Sequence, residues 1–218
     1  DCRENAMKTV LCYGDSLTWG ANAETGGRHA YEDRWTSVLQ KGLGHGVRVI
    51  PEGLNGRTTV YDDHTADCDR NGARVLPTVL HTHAPIDLVI IMLGTNDMKP
   101  VYANNAVIVG HGIKRLVEIV RHHAWQVETE GPEILIVSPP ALSDTDHALL
   151  GPMFAGRIAE SQNLASVYRD VADELGCGFF DAGSVARTTP IDGVHLDAEN
   201  TRAVGRGLEP MVRMMLGM

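Results

Sequence analysis

Thr9-Val10-Leu11-Cys12-Tyr13 runs directly into Gly14-Asp15-Ser16-Leu17-Thr18-Trp19-Gly20, a strand pattern that ends in a glycine and a serine. The first five residues form a short apolar run rich in strand formers, as a buried parallel strand requires. Gly14 is expected to take backbone angles closed to other residues, so that the chain turns sharply at the strand's end. Ser16 is then left at the carboxyl edge of a sheet, where open α/β folds bind their ligands. A serine hydroxyl is a poor nucleophile until a base takes its proton, so the rest of the chain must supply that base.

Strands are predicted at residues 8–13, 47–50, 87–93, 133–137 and 178–180, and helices at 31–43, 71–83, 106–128, 154–175 and 198–214. The helix at 71–83 contains Pro77, and the last one is expected to bend or break at Pro210. Leu88-Val89-Ile90-Ile91-Met92-Leu93 is the most apolar run and therefore a central strand. Residues 141–152 show no strong period and read as a loop on the rim of the site. Five short strands alternating with helices imply a parallel sheet with right-handed crossovers, in one three-layer α/β/α domain spanning residues 7–218. Met7 reads as a natural start, with residues 1–6 a remnant or disordered tail ahead of it.

Composition narrows the function. The net charge of −9, with no basic cluster to offset it, argues against a nucleic-acid partner. The longest aliphatic run is six residues, far short of a membrane span. No secretory signal pattern opens the chain. Cys2, Cys12, Cys68 and Cys177 show neither paired spacing nor a C-x-x-C, so no disulfide framework is expected and a reducing cytoplasm fits. Cys12 and Cys177 read as small core residues.

Two further loops carry chemistry. Gly94-Thr95-Asn96-Asp97 repeats the arrangement at Ser16: a strand, a glycine, then polar residues. Near the end of the chain comes Ile191-Asp192-Gly193-Val194-His195-Leu196. An Asp and a His three residues apart on a tight turn can set the carboxylate beneath the imidazole, leaving the other ring nitrogen to take a serine proton. An isolated histidine here would read as a helix-entry or surface residue; three converging loops favour catalysis. The oxyanion formed by ester attack needs donors already aimed at it. Candidates are the backbone N–H groups of Ser16 and Gly56 and the side-chain amide of Asn96. Taken singly, Gly56 reads as a turn glycine and Asn96 as a loop asparagine. Asp15 and Asp97 are expected to accept backbone N–H groups that fix the loops. Trp19 has two readings of equal weight, as a wall of the acyl or alcohol pocket or as packing beneath the loop.

Gly14-Asp15-Ser16-Leu17, Gly56, Gly94-Thr95-Asn96-Asp97 and Asp192-Gly193-Val194-His195 resemble, in order, the four blocks of the SGNH, or GDSL, hydrolase superfamily. The resemblance covers the chain from Met7 to the last helix. It implies a flavodoxin-like five-stranded parallel sheet of order 2-1-3-4-5, with its switch point beside Ser16 and Asn96. It also implies a triad of Ser16, His195 and Asp192, an oxyanion hole of Ser16, Gly56 and Asn96, and esterase activity with no metal or cofactor. Trp19, Arg34-Trp35, Glu52-Gly53-Leu54, Arg57-Thr58-Thr59, Ser138-Pro139-Pro140 and Phe179-Phe180-Asp181-Ala182-Gly183-Ser184-Val185 resemble more closely the small bacterial arylesterases and acyltransferases of that superfamily. That resemblance implies small-molecule esters as substrates, acyl transfer to alcohols or peroxide beside hydrolysis, and a homo-oligomer, octameric in some members. The Asn that often opens the second block is replaced by Pro51 and Glu52, and residues 22–31 and 71–74 match least.

Rival readings fare worse. Gly14-Asp15 and Gly94-Thr95-Asn96-Asp97 loosely suggest a metallophosphoesterase, but the Asp-x-His and Gly-His-x-His partners of a dinuclear site are absent. His81-x-His83 and His122-His123 lie on or near predicted helices, where solvated or capping histidines are the better reading. No Lys-Ser/Thr follows Gly20 to make a phosphate loop, and no G-x-S-x-G elbow occurs. A binding module that keeps the fold without the chemistry would be expected to lack a triad residue, and none is missing.

Overall fold

Strand β1 (Lys8–Gly14) is buried over its last five residues, which is why its sequence is a continuous apolar run rather than an alternation. The computed structural model describes residues 7–125 and 131–218. In it, β1 pairs in parallel with β2 (Val47–Gly53) on one side and β3 (Leu88–Met92) on the other. β4 (Glu133–Ser138) and β5 (Gly178–Asp181) complete a five-stranded parallel sheet of order β2-β1-β3-β4-β5, as expected. Successive side chains of a strand point to opposite faces, and the core divides accordingly. Leu11, Tyr13, Val89 and Ile91 face one layer of helices, and Val10, Cys12, Ile90 and Met92 face the other.

Among the described residues, seven helices cover the sheet and its carboxyl edge: α1 (Ser16–Trp19), α2 (Trp35–Leu43), α3 (Gly72–His83), α4 (Ala106–Arg121), α5 (Leu150–Met153), α6 (Ile158–Leu175) and α7 (Ala198–Met215). Leu76 and Leu80 of α3, Ile113 and Leu116 of α4, and Leu164 and Tyr168 of α6 fill the first layer. Trp35 and Leu39 of α2 pack with Val204 and Leu208 of α7 in the second. Gly14 pairs with both Gly53 and Met92, so β1, β2 and β3 end level with one another. The loops that follow them therefore meet at one edge.

Several boundaries differ from expectation. β2 continues through Pro51 to Gly53, which an edge strand tolerates because one side of its backbone needs no ladder partner. The predicted helix at 31–43 is split: Tyr31–Asp33 is a 3-10 turn, Arg34 is extended, and α2 starts at Trp35. α4 stops at Arg121, short of the predicted end at 128; residues 126–128 lie outside the described residues. α6 begins at Ile158 rather than 154, and the expected rim loop contains the single turn α5. α7 runs unbroken through Pro210. Asn71 caps α3 by accepting the Arg74 N–H, so the helix starts at Gly72. Cys12 is buried, and burial raises its thiol pKa well above the ordinary value, whereas Cys177 is only partly buried and Cys68 is exposed. These three are free thiols. Cys2 and the expected tail at 1–6 lie outside the described residues.

Candidate active site

The turn at the end of β1 is built differently from expectation. Gly14 is not in the left-handed region. Glycine is required there by a close approach, because a Cβ would lie 2.1 Å from Thr18 Oγ1 and 3.0 Å from the Met92 carbonyl oxygen. Asp15 then caps α1, its Oδ1 accepting the Leu17 N–H at 2.9 Å. Ser16 is thus the first residue of a one-turn helix, largely buried, at the carboxyl end of a central strand.

His195 Nε2 lies 3.0 Å from Ser16 Oγ, and His195 Nδ1 lies 2.6 Å from Asp192 Oδ2. With its Nδ1–H donated to the carboxylate, the imidazole keeps Nε2 as the acceptor for the serine proton. The other carboxylate oxygen of Asp192 accepts the backbone N–H groups of Val194 and His195, each at 2.9 Å. Burial pushes the Asp192 carboxyl pKa up, but these three hydrogen bonds outweigh it and hold it below the ordinary value. Gly193 makes the turn with φ +75°, and a Cβ there would lie 2.4 Å from the Ser143 carbonyl oxygen. Buried His29, which the sequence reading missed, has Nε2 2.8 Å from the Leu196 carbonyl oxygen and steadies the segment after His195.

Gly56 (φ +81°) and Asn96 face the same cavity, of about 460 Å³, as Ser16 and His195. One hydrogen of the Asn96 amide is donated to the Arg57 carbonyl at 3.1 Å, which orients the group and leaves a second N–H. Among the described residues, neither the Ser16 nor the Gly56 backbone N–H is given to a protein acceptor. Three residues that line the cavity thus each keep an N–H that no protein acceptor takes.

The loops carrying these donors are fixed by buried polar side chains. Arg57 lies 4.2 Å over the Tyr13 ring and donates to the carbonyls of Gly14 and Glu52, at 3.0 and 2.5 Å. Asp97 accepts the Thr59 N–H at 2.9 Å and the Thr59 hydroxyl at 2.5 Å, joining the loop after β3 to the loop after β2. Both Asp15 and Asp97 thus hold backbone N–H groups, as expected of them. Burial pushes the Asp15 carboxyl up to about 6, against the pull of its bond from Leu17. Burial pushes Asp97 up to about 7, with the Asp15 charge adding to it, although both Thr59 bonds pull the other way.

Trp19 lines the cavity, and the Arg28 guanidinium lies 4.6 Å over its ring. Leu149, Leu150, Met153 and Phe154 supply an apolar wall from α5 and its flanks, while Arg70 and Lys99 add two cations. Sequence reading missed these two, since neither belongs to a motif. The poorly matched segment 22–31 also contributes lining residues, Asn22 and Ala23 among them. Among the described residues, no group of three His, Cys, Asp or Glu is placed to hold a metal ion, and no helix is long and apolar enough to cross a membrane.

Solved structures share this architecture. A carbohydrate acetylesterase family member from Sinorhizobium meliloti is 71% identical, with a TM-score of 0.96 over 97% of this chain and 100% of that one. The aryl esterase of M. smegmatis is 43% identical, with a TM-score of 0.90 over 95% and 99% of the two chains. A second carbohydrate acetylesterase from Sinorhizobium meliloti is 38% identical, with a TM-score of 0.90 over 95% and 99%. No curated protein sequence gives a significant match. The fold is that of the SGNH hydrolases. The model of the GDSL-like lipase/acylhydrolase family matches residues 12–203, and the chain belongs to that family.

Proposed function

We propose that this protein is a serine esterase that cleaves small carboxylic esters through an acyl-enzyme on Ser16. The observation that carries the reading is the chain of short contacts from Ser16 Oγ through His195 to Asp192, opening on a cavity with unused N–H donors. In this mechanism Ser16 Oγ attacks the ester carbonyl as His195 Nε2 takes its proton. Asp192 holds the imidazolium that forms. The N–H groups of Ser16 and Gly56 and the Asn96 amide bind the developing oxyanion. Collapse expels the alcohol, which leaves with the proton from His195. Water or another acceptor then gives its proton to His195 and attacks the acyl-enzyme; collapse releases the acid or the new ester, and His195 returns that proton to Ser16 Oγ.

The similar proteins named carbohydrate acetylesterase and aryl esterase support short acyl groups on sugar or aryl alcohols as substrates. The apolar wall of Trp19, Leu149, Leu150, Met153 and Phe154 supports acyl transfer to alcohols or peroxide beside hydrolysis. Each tenfold preference over water needs about 1.4 kcal/mol, and burying a methylene supplies about 0.8 kcal/mol. Leu149 lines the cavity yet is 62% exposed, which supports a homo-oligomer whose neighbouring subunit narrows the mouth. A fluorophosphonate should label Ser16 alone and abolish hydrolysis of p-nitrophenyl acetate. Labelling elsewhere, or near-normal turnover by Ser16→Ala, would sink the assignment.

A further inference from the structure

Two cationic side chains line the cavity of a protein whose net charge is −9. Both are built into the loops that carry the oxyanion donors. Arg70 packs on Gly56 so closely that a Cβ there would lie 2.7 Å from its Nε. Lys99 closes the 3-10 turn that starts at Asn96, its backbone N–H donating to the Asn96 carbonyl at 3.2 Å.

The acidic groups nearby are already committed. Asp63 pairs with Arg70 at 2.8 Å, while Asp62 and Asp69 pair with Arg74 at 2.6 and 3.1 Å. Asp192 is the one carboxylate among the described lining residues, and both its oxygens are occupied. Lys99 has no carboxylate within ion-pair distance among the described residues; its ammonium lies 5.9 Å from the Phe154 ring. Among the described residues, Arg70 Nε is buried and has no hydrogen-bond partner. Burial, and then the charge of Arg70, hold the Lys99 ammonium below its ordinary pKa, with Asp63 and Asp15 countering from further away. A partly desolvated cation without a counter-ion is unfavourable, and a substrate that brings the missing anion relieves it.

We propose that the cavity selects esters that carry a carboxylate, with the Lys99 ammonium as the group that binds it and Arg70 as a second source of positive potential. This rests on the esterase reading above. The carboxylate can belong to the acyl group or to the alcohol, and two matched substrate pairs separate these sources. Monophenyl succinate against phenyl pentanoate places the charge on the acyl side. 4-Acetoxybenzoate against 4-acetoxybenzamide places it on the leaving group. Each kcat/KM is divided by the rate of hydroxide-catalysed hydrolysis of the same ester.

The expected result is a preference of about tenfold for the anionic member of one pair at low salt, shrinking in 0.5 M NaCl as screening shortens the reach of the charge. Lys99→Met should remove about tenfold from that ratio, and Lys99→Arg should retain it. The ratio is taken within one protein, so a reduced active fraction in a variant does not alter it. The salt dependence of the wild-type ratio needs no variant at all. Turnover with no charge preference in either pair, or a ratio that Lys99→Met leaves unchanged, overturns the selectivity alone. Absence of turnover with all four esters overturns the esterase reading and the selectivity with it.

Discussion

Replacing Asp97 by asparagine should make the protein more stable at pH 8 and leave its stability at pH 4 nearly unchanged. Asp97 is fully buried, and burial lifts its carboxyl from the ordinary 3.8 to about 7. Between those two values the native carboxyl keeps a proton that the unfolded chain has released. The native state therefore binds more protons, and stability falls as pH rises through this window. At about 1.4 kcal/mol for each tenfold change in proton affinity, the full loss by pH 8 is about 4 kcal/mol. Asp97→Asn keeps the neutral pattern at every pH: its carbonyl oxygen accepts the Thr59 N–H and its amide donates to the Thr59 hydroxyl. The difference in unfolding free energy between variant and wild type should thus grow from near zero at pH 4 to about 4 kcal/mol at pH 8. Groups remote from Asp97 act equally in both proteins, whereas Asp15, whose charge raises the Asp97 carboxyl, is relieved of a like charge in the variant and adds to the gain at pH 8. Asp15, lifted to about 6, has the same sign as Asp97; Asp63, held at about 2, loses its contribution only as the medium becomes more acidic than pH 3.8. Urea unfolding at each pH unit from 4 to 8, with equal slopes for the two proteins, measures the difference. A difference that does not change with pH would mean that Asp97 ionises alike in the folded and unfolded chains, contrary to the burial described above.

Asn96→Ala should lower kcat by about 10²–10³ if its free N–H binds the oxyanion; an effect confined to KM would assign it to ground-state binding. His195→Ala should cost several orders of magnitude in kcat, and Asp192→Asn somewhat less because the imidazole remains. Gly193→Ala forces a side chain into φ +75° against the Ser143 carbonyl, so thermal unfolding should show a loss of at least about 1–2 kcal/mol, with kcat reduced as the Asp192–His195 turn loosens.

The sheet was legible because each strand needs only local information. The unbroken apolar runs around β1 and β3 describe strands covered on both faces, and the alternation with helices then leaves few topologies. Boundaries were less legible where a distant partner decides them. Pro51 reads as a strand end until β2 is known to be an edge, and Pro210 reads as a break until α7 is seen packed along α2. Arg34 interrupts the predicted helix at 31–43 with no Pro or Gly to announce it. Its guanidinium Nε donates to the His29 carbonyl at 3.0 Å, a bond that ties the residue back toward the preceding loop.

The same division runs through the site. The Asp192–His195 pair was legible because a turn of four residues builds it, and Ser16 because it ends the strand that a short apolar run defines. At Gly14 the residue type was a sound signal, but its cause is the Thr18 side chain lying against it, not its backbone angles. Arg70 and Lys99 gave no signal, since they reach the cavity from two loops that only the sheet brings together. The state of Asp97 was hidden for a similar reason. Its letter in the sequence stands for a charged residue in water, yet its pKa depends on complete burial beneath loops that follow two different strands. Those loops are held by its own bonds to Thr59, so the carboxyl that fixes the site is destabilised by the enclosure it helps to form.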